Sequence, residues 1–134
     1  MAKRKYTAFI LVLPVLLLTV LAGCKKDPGF GGQATVKGKV YVKDYDKSGY
    51  LKSEGYTGDL RVTIGVAGAA AELDDQRTRY DGSFEFKFLR KGRYEVWVYS
   101  QCDTCATEQT AVVQEVELTG KKQTLTLPDF VIAQ

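Results

Sequence analysis

The strongest constraint on this chain is a repeated alternation of apolar and polar residues. Leu60–Val66 is apolar at every second position, and Arg93–Ser100 alternates in the same way. Residues two apart on an extended strand share one face, so a period of two predicts strands with one buried face. Four further segments show the pattern: Ala34–Val42, Ser83–Phe88, Ala111–Leu118 and Gln123–Ile132.

Turn residues separate these segments. Asp81 and Gly82 stand directly before Ser83–Phe88, and an Asp-Gly pair predicts a hairpin because glycine readily adopts positive φ. The strand after this turn is expected to bury three aromatic side chains, those of Phe84, Phe86 and Phe88. About seven short strands without covering helices predict an all-β fold, a single antiparallel β-sandwich.

The first 24 residues predict a secretory leader. A basic start (Lys3, Arg4 and Lys5) precedes the apolar run Thr7–Val20, which is shorter than the roughly 20 residues of a membrane-spanning helix. The run ends in the letters LAGC, of which the last is Cys24. This ending resembles the lipobox of bacterial lipoproteins. The resemblance implies cleavage directly before the cysteine and attachment of diacylglycerol to its thiol, the strongest side-chain nucleophile near neutral pH.

Removal of residues 1–23 changes the charge of the chain. They carry three of its 19 Lys and Arg and none of its 16 Asp and Glu, so the remainder is formally neutral. The basic isoelectric point therefore does not indicate a nucleic-acid partner. Lysine rather than aspartate follows Cys24, which favours the outer membrane of a bacterial envelope. Residues 24–33 are rich in Gly and are expected to form a flexible tether before a folded domain at 34–134.

The segment Arg79–Val96 carries a wider resemblance. Its spacing of an Asp-Gly turn, alternating aromatics, a leucine, a glycine and a tyrosine is similar to carboxypeptidase-regulatory-like domains and to the B-type domains of bacterial surface adhesins. The resemblance implies a transthyretin-like (prealbumin-like) Greek-key sandwich over about 34–132. Such a fold supports many functions, so it does not imply an activity.

The segment Val40–Tyr50 resembles the opening of the calcium-binding B repeats of Gram-positive adhesins. That resemblance implies a Ca²⁺ site with alternate oxygen ligands. The implied ligands are Asp44, Asp46, Ser48, Tyr50 and Glu54. The ninth and twelfth positions depart from a calcium loop, because they are Lys52 and Gly55. Two alternatives remain open: a solvated insertion in which Asp and Ser form turns, and a recognition loop built on tyrosines.

Two cysteines remain after lipidation of the first. Cys102 and Cys105 have the spacing of a zinc or redox motif, but the chain has no His and no second pair for zinc, and no helix follows a strand there for thioredoxin-like chemistry. In an oxidising envelope, the pair predicts a disulfide.

Exposed aromatic residues give the remaining candidate site. Trp97 and Tyr99 share the polar parity of their strand, as does Tyr41 of another strand, and these three predict a binding patch for a glycan or an envelope protein. The alternative is that the insertion at 43–59 covers this face. Without His, the chain lacks the commonest general base. We therefore expect a non-enzymatic structural or binding module without a cofactor, apart from the possible Ca²⁺.

Overall fold

The computed structural model describes residues 26–134, so the leader (1–23) and the predicted lipidation site Cys24 lie outside the described residues. Nine strands make up the structure: β1 (Phe30–Tyr45), β2 (Leu51–Tyr56), β3 (Arg61–Val66), β4 (Glu72–Arg77), β5 (Ser83–Leu89), β6 (Gly92–Gln101), β7 (Gln109–Leu118), β8 (Thr124–Thr126) and β9 (Phe130–Ala133). Among residues 26–134, no helix is long and apolar enough to cross a membrane. The predicted all-β sandwich is confirmed. It has nine strands rather than the expected seven. Strands β2 and β4 do not show the apolar alternation on which the prediction was based, and Pro128 separates β8 from β9.

Two sheets form the sandwich. One has the order β4-β3-β6-β7, and the other is built around β1, which pairs with β2, β5, β8 and β9. All pairs are antiparallel except those of β8 and β9 with β1. Tyr41 lies opposite both Tyr56 of β2 and Val131 of β9, so these two strands flank β1 on opposite sides.

The core lies between the sheets and contains the apolar side chains that stand at alternate positions along the strands. Its largest side chains are essentially unexposed and include Tyr94, Phe84, Phe86, Phe130 and Ile64. Gly38 of β1 makes room for the Phe84 ring, since a Cβ there would come within 2.7 Å of ring atom Cζ. Burial of this apolar surface is the main driving force for the fold.

Phe88 corrects the sequence-based expectation for β5. It was expected in the core with Phe84 and Phe86, but 67% of its surface is exposed, and Leu89 is buried instead. The backbone of Phe88 has φ 61°, and the pairing of β1 with β5 shifts register nearby. This irregularity reverses the parity of the strand at its last two residues.

The start of the domain also differs from the expected tether. The Gly29 N–H donates to the Tyr94 hydroxyl at 2.9 Å, and the Arg90 N–H donates to the Gly29 carbonyl at 2.8 Å. Pro28 packs so closely on Gly92 that a Cβ there would overlap it. Residues 28–33 therefore belong to the sandwich, and their glycines permit close packing rather than flexibility.

The strand directions sort the connections into two ends of the sandwich. We call the end formed by residues 26–29 and the loops at 67–71, 90–91 and 119–123 the N-terminal end. The distal end comprises the loops at 46–50, 57–60, 78–82 and 102–108. This division matters because the two ends differ in charge and in the sites they present.

Candidate functional site

The outer face of the β4-β3-β6-β7 sheet carries a row of aromatic and amide side chains. Val96 and Val98 of β6 are buried in the core, so the alternating residues Trp97, Tyr99 and Gln101 project from the opposite face. We call these three residues the aromatic strip. Tyr99 is 49% exposed, and Trp97 is half-buried.

Trp97 is held in place by small neighbours on β3. Its direct partner Thr63 is only 2% exposed although it lies on the outer face. A Cβ on Gly65 would come within 3.1 Å of Trp97 ring atom Cζ3, so the indole lies closely over this glycine. The ring is thus fixed against the sheet by packing and needs little ordering to receive a ligand.

The strip leads at the distal end into a groove of about 380 Å³. Its lining is aromatic, amide, hydroxyl and carboxylate, from Tyr99, Gln101, Thr107, Glu108, Gln109 and Gln134. Gln101 and Gln109 are direct partners across β6 and β7. These side chains supply both hydrogen-bond donors and acceptors beside a ring face.

The loop that closes this groove contains the predicted disulfide. Cys102 and Cys105 are bonded, with their Cα atoms 5.4 Å apart. The Cys102 N–H also donates to the Glu108 carbonyl at 2.9 Å, and Glu108 adopts φ 57°. The crosslink and this contact hold the loop beside Gln109, at the wall of the groove.

Charged side chains of both signs border the strip. Glu95 and Glu115 face each other across β6 and β7, next to Trp97. On the other side, the Arg61 guanidinium bonds to Glu72 and Asp75, each at 3.0 Å. The carboxylate pair beside Trp97 therefore disfavours an anionic ligand at that ring.

Tyr41 does not belong to this patch, which corrects the sequence-based grouping. It lies on the outer face of the β1 sheet, where its ring meets that of Tyr56 edge to face at 5.1 Å. The hairpin that follows it extends the β1 sheet, so the insertion at 43–59 does not cover Trp97. The Lys39 ammonium lies 5.0 Å from the Tyr56 ring centre, and the Tyr56 hydroxyl donates to the Asp129 carboxylate at 2.5 Å.

The bond to Asp129 raises the pKa of the Tyr56 hydroxyl above its ordinary value of about 10, because it stabilises the protonated phenol. The stabilisation by this bond is present below the ordinary pKa and is lost as pH rises through the higher folded-state value. We expect Asp129→Asn to bring one tyrosine back toward ordinary ionisation in an ultraviolet absorbance titration. An unchanged titration curve would show that Asp129 does not hold the proton on Tyr56.

The implied calcium ligands lie on a β-hairpin. Asp46 accepts the N–H groups of Ser48 and Tyr50 at 2.8 and 3.0 Å, and thus acts as a turn former. The Tyr50 carbonyl accepts the Asp46 N–H. Asp44 and Glu54 pair with Ser53 and Lys43 respectively, which places them on opposite faces of the hairpin.

The hairpin therefore does not gather these oxygens around one point. The nearest charged partner of Asp44 is the Lys52 ammonium, at 3.7 Å. Within residues 26–134, no three His, Cys, Asp or Glu side chains are placed to share a metal ion. Ca²⁺ binding stays a prediction of the sequence resemblance, without support from this arrangement.

Sequence reasoning identified Trp97 and Tyr99 but missed the groove beside them. Gln101 continues their parity by one step, and a strand drawn one residue longer would have included it. The contribution of Gln134 had no local signal, because it depends on how the end of β9 approaches β6 across the sandwich.

Neither a family model nor a curated protein matches the chain. Solved structures with a similar fold include a proposed carbohydrate binding protein from Pseudomonas aeruginosa (13% identity, 77% of this chain and 89% of that one, TM-score 0.43). They also include Klebsiella pneumoniae 5-hydroxyisourate hydrolase (13%, 81% and 94%, TM-score 0.40) and (S)-allantoin synthase (9%, 77% and 42%, TM-score 0.43). Each likeness concerns the fold alone, and no residue role is carried over from it.

Two of these three structures are enzymes, which corrects the expectation that the chain has no enzymatic function. That expectation rested on the absence of His. One fold supports many unrelated functions, so the fold does not exclude catalysis.

Proposed function

We propose that this chain is a lipid-anchored protein of the bacterial envelope that binds an uncharged glycan on the aromatic strip. The anchor is the acylated Cys24 that the lipobox resemblance implies. The glycan would lie along Trp97 and Tyr99 and reach into the groove at the distal end.

The observation that carries the binding proposal is that aromatic and amide side chains follow one another along the outer face of one strand, beside a groove. Trp97 and Tyr99 are two residues apart on β6, so their attachment points are about 7 Å apart. Aromatic rings offer an apolar surface for the C–H face of a sugar. Gln101 and Gln109 then supply donors and acceptors for its hydroxyl groups.

The charges favour an uncharged glycan over an acidic polysaccharide. Glu95 and Glu115 lie beside Trp97, and Glu108 lies in the groove wall. A carboxylate or sulfate on the ligand would be repelled by these groups. A protein partner is the less favoured occupant because amide, hydroxyl and carboxylate side chains line most of the groove, which has no broad apolar centre.

The proposal is tested with the acylated protein in detergent and a panel of oligosaccharides, including N-acetylglucosamine oligomers, neutral glucans and an acidic polysaccharide. We expect at least one neutral oligomer to bind, and Trp97→Ala to weaken its binding by about tenfold or more, as for loss of a stacking anchor. Calorimetry or glycan-array fluorescence measures the change.

Tyr41→Ala is the matched control, because it removes an aromatic side chain from the outer face of the other sheet. It should leave glycan affinity unchanged. Equal losses for the two variants, or preferential binding of the acidic polysaccharide, would contradict a glycan site on the aromatic strip.

A further inference from the structure

We infer that the N-terminal end of the sandwich seats directly on the anionic phospholipid surface that holds the lipid anchor. The inference rests on the proposed acylation of Cys24 and adds to it an orientation and a second contact. Four features support it: the length of the connection, the charge of this end, its exposed aromatic residues and the contrast with the distal end.

The connection to the anchor is short. Folded contacts begin at Pro28 and Gly29, which are held by Gly92, Arg90 and Tyr94. Four residues, 24–27, therefore separate the lipid from the sandwich, and even fully extended they span only about 14 Å. The headgroup region of one leaflet is roughly 5–8 Å thick, so the connection keeps the N-terminal end within about 10 Å of the membrane surface.

This end is basic. Its loops and first residues carry five cations, Lys26, Arg90, Lys91, Lys121 and Lys122. Asp27 is the one acidic residue in the same segments. Anionic headgroups attract such a cluster of Lys and Arg, and the attraction extends over about one Debye length, roughly 10 Å at 0.1 M salt.

Exposed apolar side chains lie among these cations. Phe88 is turned out of the core by its positive φ, and Phe30 at the start of β1 is also exposed. The loop at 67–71 adds four small exposed residues, Gly68, Ala69, Ala70 and Ala71. Aromatic side chains beside basic residues suit the boundary between headgroups and acyl chains.

The distal end has the opposite character. Its loops carry five acidic residues, Asp46, Asp59, Asp81, Asp103 and Glu108, against two cations, Lys47 and Arg79. A formally neutral mature chain is thus divided into a basic and an acidic end. An anionic membrane attracts the first end and repels the second, which directs the groove at Tyr99 away from the bilayer.

A second copy of the chain is a poorer occupant of the N-terminal end. Two such ends facing each other would bring like charges together, and this repulsion opposes a symmetric dimer. The phospholipid surface is complementary in charge and is held within reach by the short connection.

The test uses the full acylated protein in vesicles of phosphatidylcholine and phosphatidylglycerol with brominated acyl chains, which quench nearby indoles. Trp97 is the single tryptophan, so a Trp97→Phe background leaves one reporter in each variant. Phe88→Trp places it at the N-terminal end, and Tyr80→Trp is the matched control at a distal position that is 91% exposed.

Vesicle flotation reports the anchor, and quenching reports the seating. We expect both proteins to float and the Phe88→Trp reporter to be quenched several-fold more than the Tyr80→Trp reporter. Reversing charge with Lys91→Glu, Lys121→Glu and Lys122→Glu should abolish this difference without preventing flotation. Lys47→Glu at the distal end, combined with Lys52→Glu in the adjoining strand β2, should preserve it.

Flotation with equal quenching of the two reporters would overturn the seating while leaving the anchor in place. Quenching that survives the triple charge reversal, or a Phe88→Trp reporter shielded by dimerisation in sedimentation analysis, would also overturn it. Failure of the protein to float with the vesicles would contradict both the lipid anchor and the seating of the N-terminal end.

Discussion

Phe84→Ala should lower the free energy of unfolding by about 3–5 kcal/mol, whereas Phe88→Ala should change it by no more than about 0.5 kcal/mol. Both are phenylalanines on the same apparent parity of β5. Phe84 is buried against Phe86 and Phe130, with ring centres 5.9 Å apart in each pair, so its removal leaves a cavity in the centre of the core. The Phe88 ring is exposed, and its loss removes little packing.

Urea unfolding followed by circular dichroism measures both variants against the parent. The two variants can be compared directly because both substitutions remove the same atoms from the same strand. Similar large losses would mean that Phe88 is in the core and would contradict the reversal of parity at the end of β5.

Gly32→Ala is expected to destabilise the domain by about 1–3 kcal/mol, the usual range for overpacking a close contact. A methyl group at this position would overlap the Leu89 carbonyl, which is backbone and cannot rotate away. A flexible tether would accept the same substitution without cost. The variant therefore tests whether the domain begins near residue 28 or near residue 34.

Gly55→Ala provides the control. Gly55 also lies in a strand of the β1 sheet, but nothing lies within 4 Å of the position its Cβ would occupy. Thermal unfolding should show a lowered Tm for Gly32→Ala alone. Equal melting temperatures for the two variants and the parent would show that residues 28–33 form a flexible spacer.

The fold class could be predicted because it depends on local alternation. The segment Arg93–Ser100, for example, became β6 with Tyr94, Val96 and Val98 inward, as its period of two requires. Alternation fails where a strand bends or is polar on both faces. Phe88 reversed its parity through backbone conformation, and β2 lacks a buried face because it forms the exposed arm of a hairpin.

The candidate site was half predictable for a related reason. Parity along one strand identified Trp97 and Tyr99, but parity cannot assign two strands to the same sheet. Tyr41 shares their outward direction and still lies on the other side of the molecule. The flexible tether was predicted wrongly at 28–33 for a different reason. A glycine-rich composition occurs both in flexible spacers and where backbones pack closely.

A glycan bound on the outer face of β6 would change the surroundings of the side chains that project from it. The most direct measurement is the nitrogen-15 NMR spectrum of the protein during addition of an oligosaccharide identified by the binding panel. We expect progressive shifts of the Trp97 indole N–H and of the Gln101 and Gln109 side-chain amides, with Tyr41 and its neighbours unmoved. Shifts confined to the β1 sheet, or none at saturating oligosaccharide, would contradict glycan binding on this face.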